Sequence, residues 1–266
     1  TLSFGTKDAD TRWGWRPDGQ HGKGIQAQTA TTVALQFTHT EYDLIKIDTD
    51  SVDKSLVKRI VQELQAGSLS VTALTSEEID TNEAFAMQQL GYKAAFLITP
   101  HLRLQHSQKW LESVLTKHKT LPWFEIADLT KKVWTNLLQD IHVANIVFYD
   151  RVRPSEDLAS LSYSVRRGEY PPIPMVLETR PGTCDLFSKG FCERFANDKY
   201  ANAAVDQPLI DTVVYFLKHC LAEECFAMDI GSNLGYISAF MLQQGAHVTS
   251  YEPQGDFAEA LIKTAL

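Results

Sequence analysis

A chain of 266 residues with 44% apolar content can bury the core of one large or two small domains, which is the composition of an ordinary soluble globular protein. Its net charge of -8 argues against a surface built for nucleic acid or anionic lipid, and small molecules or glycans are the expected partners. No apolar run approaches the roughly 18–20 residues of a membrane span, and four cysteines are too sparse for a disulfide scaffold, so reduced thiols and a cytoplasmic location are expected, with a Cys184–Cys192 bridge as the alternative.

The first stretch, Thr1 to about Gly24, is rich in Gly, Asp and Arg around Trp13-Gly14-Trp15-Arg16 and reads as a short strand and an irregular loop. The tryptophans, with Asp18, suit a turn packed on a domain edge better than an acceptor pocket. From Tyr42 the pattern becomes regular. Leu44-Ile45-Lys46-Ile47-Asp48 is a buried-strand run ending in acids, with Lys46 on the face opposite Ile45 and Ile47 and Asp48 at the strand end. Leu56, Ile60 and Leu64 fall four apart and give one apolar face to a helix that Gly67 terminates.

Ser70–Leu74 predicts the next strand, and Asp80 with Glu83 resembles a capping box opening a helix through Leu90, closed by Gly91. Tyr92–Ile98 predicts a strand. Trp110 with Val114, and later Val133, Leu137 and Leu138, mark two helical pieces, and Ala144–Tyr149 a further strand. His101, His106 and His118 have no cysteine or carboxylate at ligand spacing, so no metal site is assigned. Strands alternating with helices predict an α/β domain around a mostly parallel sheet, with Ala144–Tyr149 antiparallel.

Between residues 151 and 175 the periodicity dissolves into charged, Ser-rich sequence and Pro171-Pro172-Ile173-Pro174, a linker in which Arg166-Arg167 is a solvated pair. Asp206 and Pro208 signal a helix start, with Leu209, Val213, Phe216 and Leu217 as its buried stripe. Then comes Phe226–Asp229, a strand, followed by the turn Ile230-Gly231-Ser232-Asn233-Leu234-Gly235-Tyr236 that opens a helix. Val248–Tyr251 forms the next strand and ends at Glu252.

This last unit carries the chemistry. Ligands of open α/β sheets sit beyond the carboxyl ends of the strands. Gly231 and Gly235 allow close backbone approach, and the helix start offers free N–H groups. Glu252 can accept from a ribose diol. The dinucleotide pattern G-x-G-x-x-G would need glycine where Asn233 stands, which disfavours pyrophosphate and a nicotinamide oxidoreductase. An acid ahead of the first glycine, Asp229, suits a cationic, amino-acid-bearing adenosyl ligand. S-adenosylmethionine has that chemistry. Ser232 lies in no G-x-S-x-G context, so a hydrolase elbow is not supported.

The segment Asp229–Tyr236 with Tyr251-Glu252-Pro253 resembles the first half of an FkbM-type S-adenosylmethionine-dependent methyltransferase, and Tyr42–Asp53 resembles that family's later lysine-isoleucine-aspartate strand end. The resemblance covers 41–98 and 207–266 well. It implies a Rossmann-like, doubly wound sheet, with Asp229, Gly231, Ser232, Asn233, Gly235, Tyr236, Glu252 and Asp48 as cofactor-binding residues. Asp48 is also the candidate catalytic base. The acceptor implied is oxygen on a small molecule or sugar. Where the family has Glu and Gly, this chain has Asp50 and Ser51, either of which also suits a helix N-cap.

The two motifs stand in reversed order relative to that family. Residues 1–150 therefore resemble the C-terminal half of a methyltransferase domain, 151–175 a linker, and 176–266 the N-terminal half, with the two halves expected to form one sheet. A circular permutation, a fragment spanning tandem copies and an artificial rearrangement each account for the order. Some 20–30 residues around the family's third strand, which normally contact adenine, have no counterpart by that resemblance. A non-catalytic module of the same fold is the competing expectation.

Overall fold

Strands from both ends of the sequence lie side by side in one sheet. The computed structural model describes residues 37–49, 53–97, 103–104, 115–116, 123–142, 145–150, 207–218, 220, 224–233, 235–252 and 255–265. The strands are β1 (Glu41–Ile47), β2 (Ser70–Ser76), β3 (Lys93–Leu97), β4 (Arg103–Leu104), β5 (Leu115–Thr116), β6 (Trp123–Ile126), β7 (Ile141–His142), β8 (Ile146–Tyr149), β9 (Phe226–Ile230) and β10 (His247–Tyr251). The helices are α1 (Asp53–Ala66), α2 (Thr81–Gln89), α3 (Lys131–Asp140), α4 (Gln207–Lys218), α5 (Tyr236–Gln243) and α6 (Gly255–Ala265).

Eight strands form the main sheet in the order β10-β9-β1-β2-β8-β3-β6-β5, and β4 pairs with β7 separately. β10, β9, β1 and β2 are parallel to one another, while every pairing from β2 to β5 is antiparallel. Following the pairings outward, β8 and β6 run against the other six strands. The antiparallel strand expected at Ala144–Tyr149 is β8; β6 is a second one that the sequence pattern did not reveal. The mixed α/β sheet is compatible with a Rossmann-like fold.

Alternation along the central strands divides the core between two faces. Ile45 and Ile47 of β1 and Met228 and Ile230 of β9 pack with Leu56, Val57 and Ile60 of α1, Met87 of α2 and Trp134 and Leu137 of α3. Leu44 and Ala227 face the other way, against Val213, Phe216 and Leu217 of α4 and Phe240 and Met241 of α5. Both faces are covered, so these strands read as nearly continuous apolar runs rather than alternating ones.

Local signals in the sequence account for the helix ends. Gly67, at φ 69°, closes α1 with its N–H on the Leu64 carbonyl (3.1 Å) and the Ser68 N–H on that of Glu63 (3.1 Å), a Schellman termination. Gly91, at φ 94°, follows α2 as expected. Asp80 does occupy the N-cap of α2 in extended conformation, but its side chain makes no capping bond. Its carboxylate instead lies 3.8 Å from the Lys54 ammonium, so the capping box is replaced by an exposed ion pair.

Cys220 and Cys225 are joined, with Cα atoms 6.0 Å apart, which corrects the expectation of reduced thiols for this pair. Cys184, Cys192, Trp13–Arg16, Asp18, Asp50, Ser51, His101, His106, Trp110, Val114, His118, Arg166, Arg167 and the 151–175 linker lie outside the described residues.

Candidate functional site

The carboxyl ends of β1, β9 and β10 meet at one edge of the sheet. β1 and β9 pair in register with Lys46 opposite Asp229 and Ile47 opposite Ile230, and β9 and β10 with Asp229 opposite Ser250. Beyond the paired residues, the Asp48 N–H donates to the Ile230 carbonyl (3.0 Å), which carries the ladder one step further toward the turn.

The turn after β9 is stitched to both neighbours. Gly231 and Ser232 donate their N–H groups to the Tyr251 carbonyl (2.9 and 3.1 Å), and the Asn233 N–H donates to Glu252 Oε2 (2.7 Å). Gly231 stands at φ 76°, and a Cβ there would come 1.8 Å from the Asp48 carbonyl oxygen. Here the missing side chain makes room for the end of β1. Asn233 adopts φ 52°, a left-handed conformation that asparagine tolerates better than most residues. Thus asparagine serves where the dinucleotide pattern would use glycine. Gly235, at φ 83°, opens α5, and the side chain of Leu261 in α6 occupies the space its Cβ would need.

Lys46 is the hub. Its side chain is only 3% exposed, and its Nζ lies 3.1 Å from Asp229 Oδ1 and 3.7 Å from Asp48 Oδ2 and donates to the Gly231 carbonyl (3.0 Å). Burial opposes a charge on this amine, but the carboxylates of Asp229 and Asp48 outweigh it and hold Lys46 well above the ordinary lysine range. It is therefore an ammonium at neutral pH. Asp229 has no exposed side-chain surface; its Oδ2 accepts from Ser238 Oγ (2.6 Å), which also meets Ser250 Oγ (2.9 Å). The pairing offsets much of the penalty of an isolated buried charge, although Asp229 Oδ1 meets only the Lys46 ammonium and accepts no hydrogen bond among the described residues.

Asp48, by contrast, is 36% exposed, so its carboxylate reaches the surface at this edge. Glu252 is half-buried and Tyr236 packs its ring edge-on against Phe240, with centroids 5.1 Å apart. Ser232 is buried, and its hydroxyl has no hydrogen-bond partner among the described residues. The eight expected site residues therefore occupy one contiguous edge, but with unequal access: Asp48 is open, and Asp229 is enclosed.

Across the turn from Asp48, the buried carboxyl of Asp53 at the start of α1 accepts from the Thr49 N–H (2.8 Å) and from Thr49 Oγ1. Its other oxygen lies 3.5 Å from Ser76 Oγ, which donates to the nearer Glu78 carbonyl at 2.9 Å. Burial pushes the Asp53 carboxyl above the usual carboxylate range, against the Thr49 hydrogen bonds. The hub role of Lys46 and the parts played by Ser238, Ser250, Thr49 and Ser76 were missed in the sequence. One signal was there: a lysine inside an apolar strand must find a buried anion.

No protein-family model matches the chain, and neither does any curated protein or solved structure.

Proposed function

We propose that this protein is an S-adenosylmethionine-dependent methyltransferase of FkbM-like character that methylates oxygen on a small molecule or sugar. The observation that carries the reading is the convergence of Asp48, Glu252 and the 231–235 turn at the carboxyl edge of three adjacent parallel strands, where α/β sheets hold ligands. Order and direction of β10, β9, β1, β2, β8 and β3 support a Rossmann-like methyltransferase sheet whose two halves come from opposite ends of the sequence.

The residues present fit such a cofactor, with one redistribution of roles. Asp229 is committed to Lys46 and Ser238, so Asp48 is the carboxylate available to an ammonium. Lys46, Asp229 and Asp48 together sum to one negative charge, which favours a cationic ligand. A carboxylate accepts several donors, so Glu252 can take a ribose hydroxyl while holding the Asn233 N–H. The cofactor would supply an electrophilic methyl group. The chain's own work is to align the acceptor, exclude water and, through Asp48, accept the hydroxyl proton.

Titration calorimetry with S-adenosylhomocysteine tests the reading. Micromolar binding, weakened at least about tenfold by Asp48→Ala, is the expected result; no heat at millimolar ligand overturns it. A second reading, a methyltransferase-like module without catalysis, is favoured by the enclosure of Asp229 and by the protein groups that fill the space above Gly231 and Gly235. It predicts no binding. Competition by NAD would instead point to an oxidoreductase.

A further inference from the structure

We propose that Asp53 is a positioning residue that fixes the Asp48–Thr49 turn against the glycine turn and so sets the place of the Asp48 carboxylate. The assignment of Asp48 as the ligand-facing group rests on the methyltransferase reading; the positioning itself does not.

The end of β1 leaves the sheet at Asp48, whose carbonyl oxygen fills the space beside Gly231 and whose N–H is held by Ile230. α1 begins at Asp53. Thr49 is held by two donors, its N–H and its hydroxyl, both on one oxygen of Asp53. Two donors on one buried acceptor hold the residue that carries them in a single geometry. Asp53 itself is 1% exposed and belongs to the first turn of α1, whose Leu56, Val57 and Ile60 are anchored in the core. Its carboxylate is therefore a rigid post. The second oxygen lies 3.5 Å from Ser76 Oγ, whose proton goes to the nearer Glu78 carbonyl at 2.9 Å, so the firm tie made by Asp53 is the one to the end of β1.

The groups facing Asp53 are Thr49 and Asp48 from the end of β1, Lys46 within it, and Ser76 and Glu78 at the end of β2. No hydrogen bond or ion pair joins Asp53 to a cation among the described residues, which distinguishes it from a salt-bridge member. Its bonds go to the backbone and hydroxyl of the turn that bears Asp48.

The test compares wild type, Asp53→Asn and Asp53→Ala by amide exchange at Thr49, S-adenosylhomocysteine affinity and thermal melting. Asparagine keeps an acceptor oxygen at the same place and should leave Thr49 protection and affinity within about threefold of wild type. Alanine should speed exchange at Thr49, and weaken binding, by about tenfold or more, the size expected from leaving two buried donors without their acceptor. If Asp53→Ala does not fold, Thr49→Ala, which removes one of the two bonds, should give an intermediate loss of affinity. Equal losses in Asp53→Asn and Asp53→Ala, or unchanged Thr49 exchange in Asp53→Ala, overturn the proposal. Should wild type not bind the ligand, the methyltransferase reading fails, while the exchange comparison still decides whether Asp53 holds the turn.

Discussion

At the scale of single residues, the buried pair of Lys46 and Asp229 sets the largest expected effect. Lys46→Met leaves a carboxylate enclosed with only a serine hydroxyl to meet it, and should cost about 3–5 kcal/mol in urea unfolding. Adding Asp229→Asn should recover part of that loss, because the orphaned charge goes with it; a double variant as unstable as the sum of the singles would refute the pairing. Glycines with the same sign of φ should behave differently. Gly231→Ala forces a methyl group into the Asp48 carbonyl, whereas Gly67→Ala meets nothing within 4 Å and bears only the left-handed penalty of about 1–2 kcal/mol. The first should melt well below the second. Asp53 contributes a pH dependence of definite sign. Its carboxyl holds a proton to higher pH in the native state than in the unfolded chain, so its contribution to stability is full below the unfolded carboxyl range and declines as pH rises through the native value. Asp53→Asn should remove that decline, gaining melting temperature over wild type at pH 7 and losing the gain in acid.

Among the elements, α2 and α3 are joined by one side chain. The Gln88 amide donates to the Leu129 carbonyl (2.8 Å) and its oxygen accepts from the Leu129 N–H (2.8 Å) and the Trp134 indole (3.1 Å). Gln88→Ala leaves those groups without their partner and should destabilise by about 1–3 kcal/mol, with faster amide exchange at Leu129 as the local signature. Nothing in the sequence around Gln88 announces this, since a glutamine on a helix is ordinarily solvated. The legible elements were those whose signal is local. Ser70 to Leu74, Leu56 to Gly67 and Phe226 to Asp229 carry their own apolar period, and they fold where the pattern puts them, the first continuing two residues further to Ser76. β6, at Trp123–Ile126, has only four residues and follows Pro122, and it owes its existence to pairing with β3 across the sheet. The site divides the same way. Gly231, Asn233 and Glu252 were visible as a motif, but which of Asp48 and Asp229 would face outward was decided by Lys46, whose two carboxylate partners lie far apart along the chain.

For the whole molecule, the seam between β1 and β9 is the decisive join. Residues 1–150 and 151–266 produced separately and then mixed should assemble into one species on gel filtration, with the Asp48 amide protected only in the mixture, because its acceptor is Ile230. Pieces that stay apart, with the Asp48 amide already protected in 1–150 alone or with a complete melting transition in each, would refute a shared sheet. None of the helices among the described residues is long and apolar enough to cross a membrane. The seam also has a consequence for biosynthesis. Lys46 leaves the ribosome 183 residues before Asp229 (229 - 46), a delay on the order of 10–40 s at ordinary translation rates. Throughout that interval β1 has a naked flank of main-chain donors and acceptors and an ammonium waiting for its counter-ion. Growing chains on one messenger should therefore depend on a holding chaperone until the final strands emerge, and slowing translation between the two halves should lower the soluble yield.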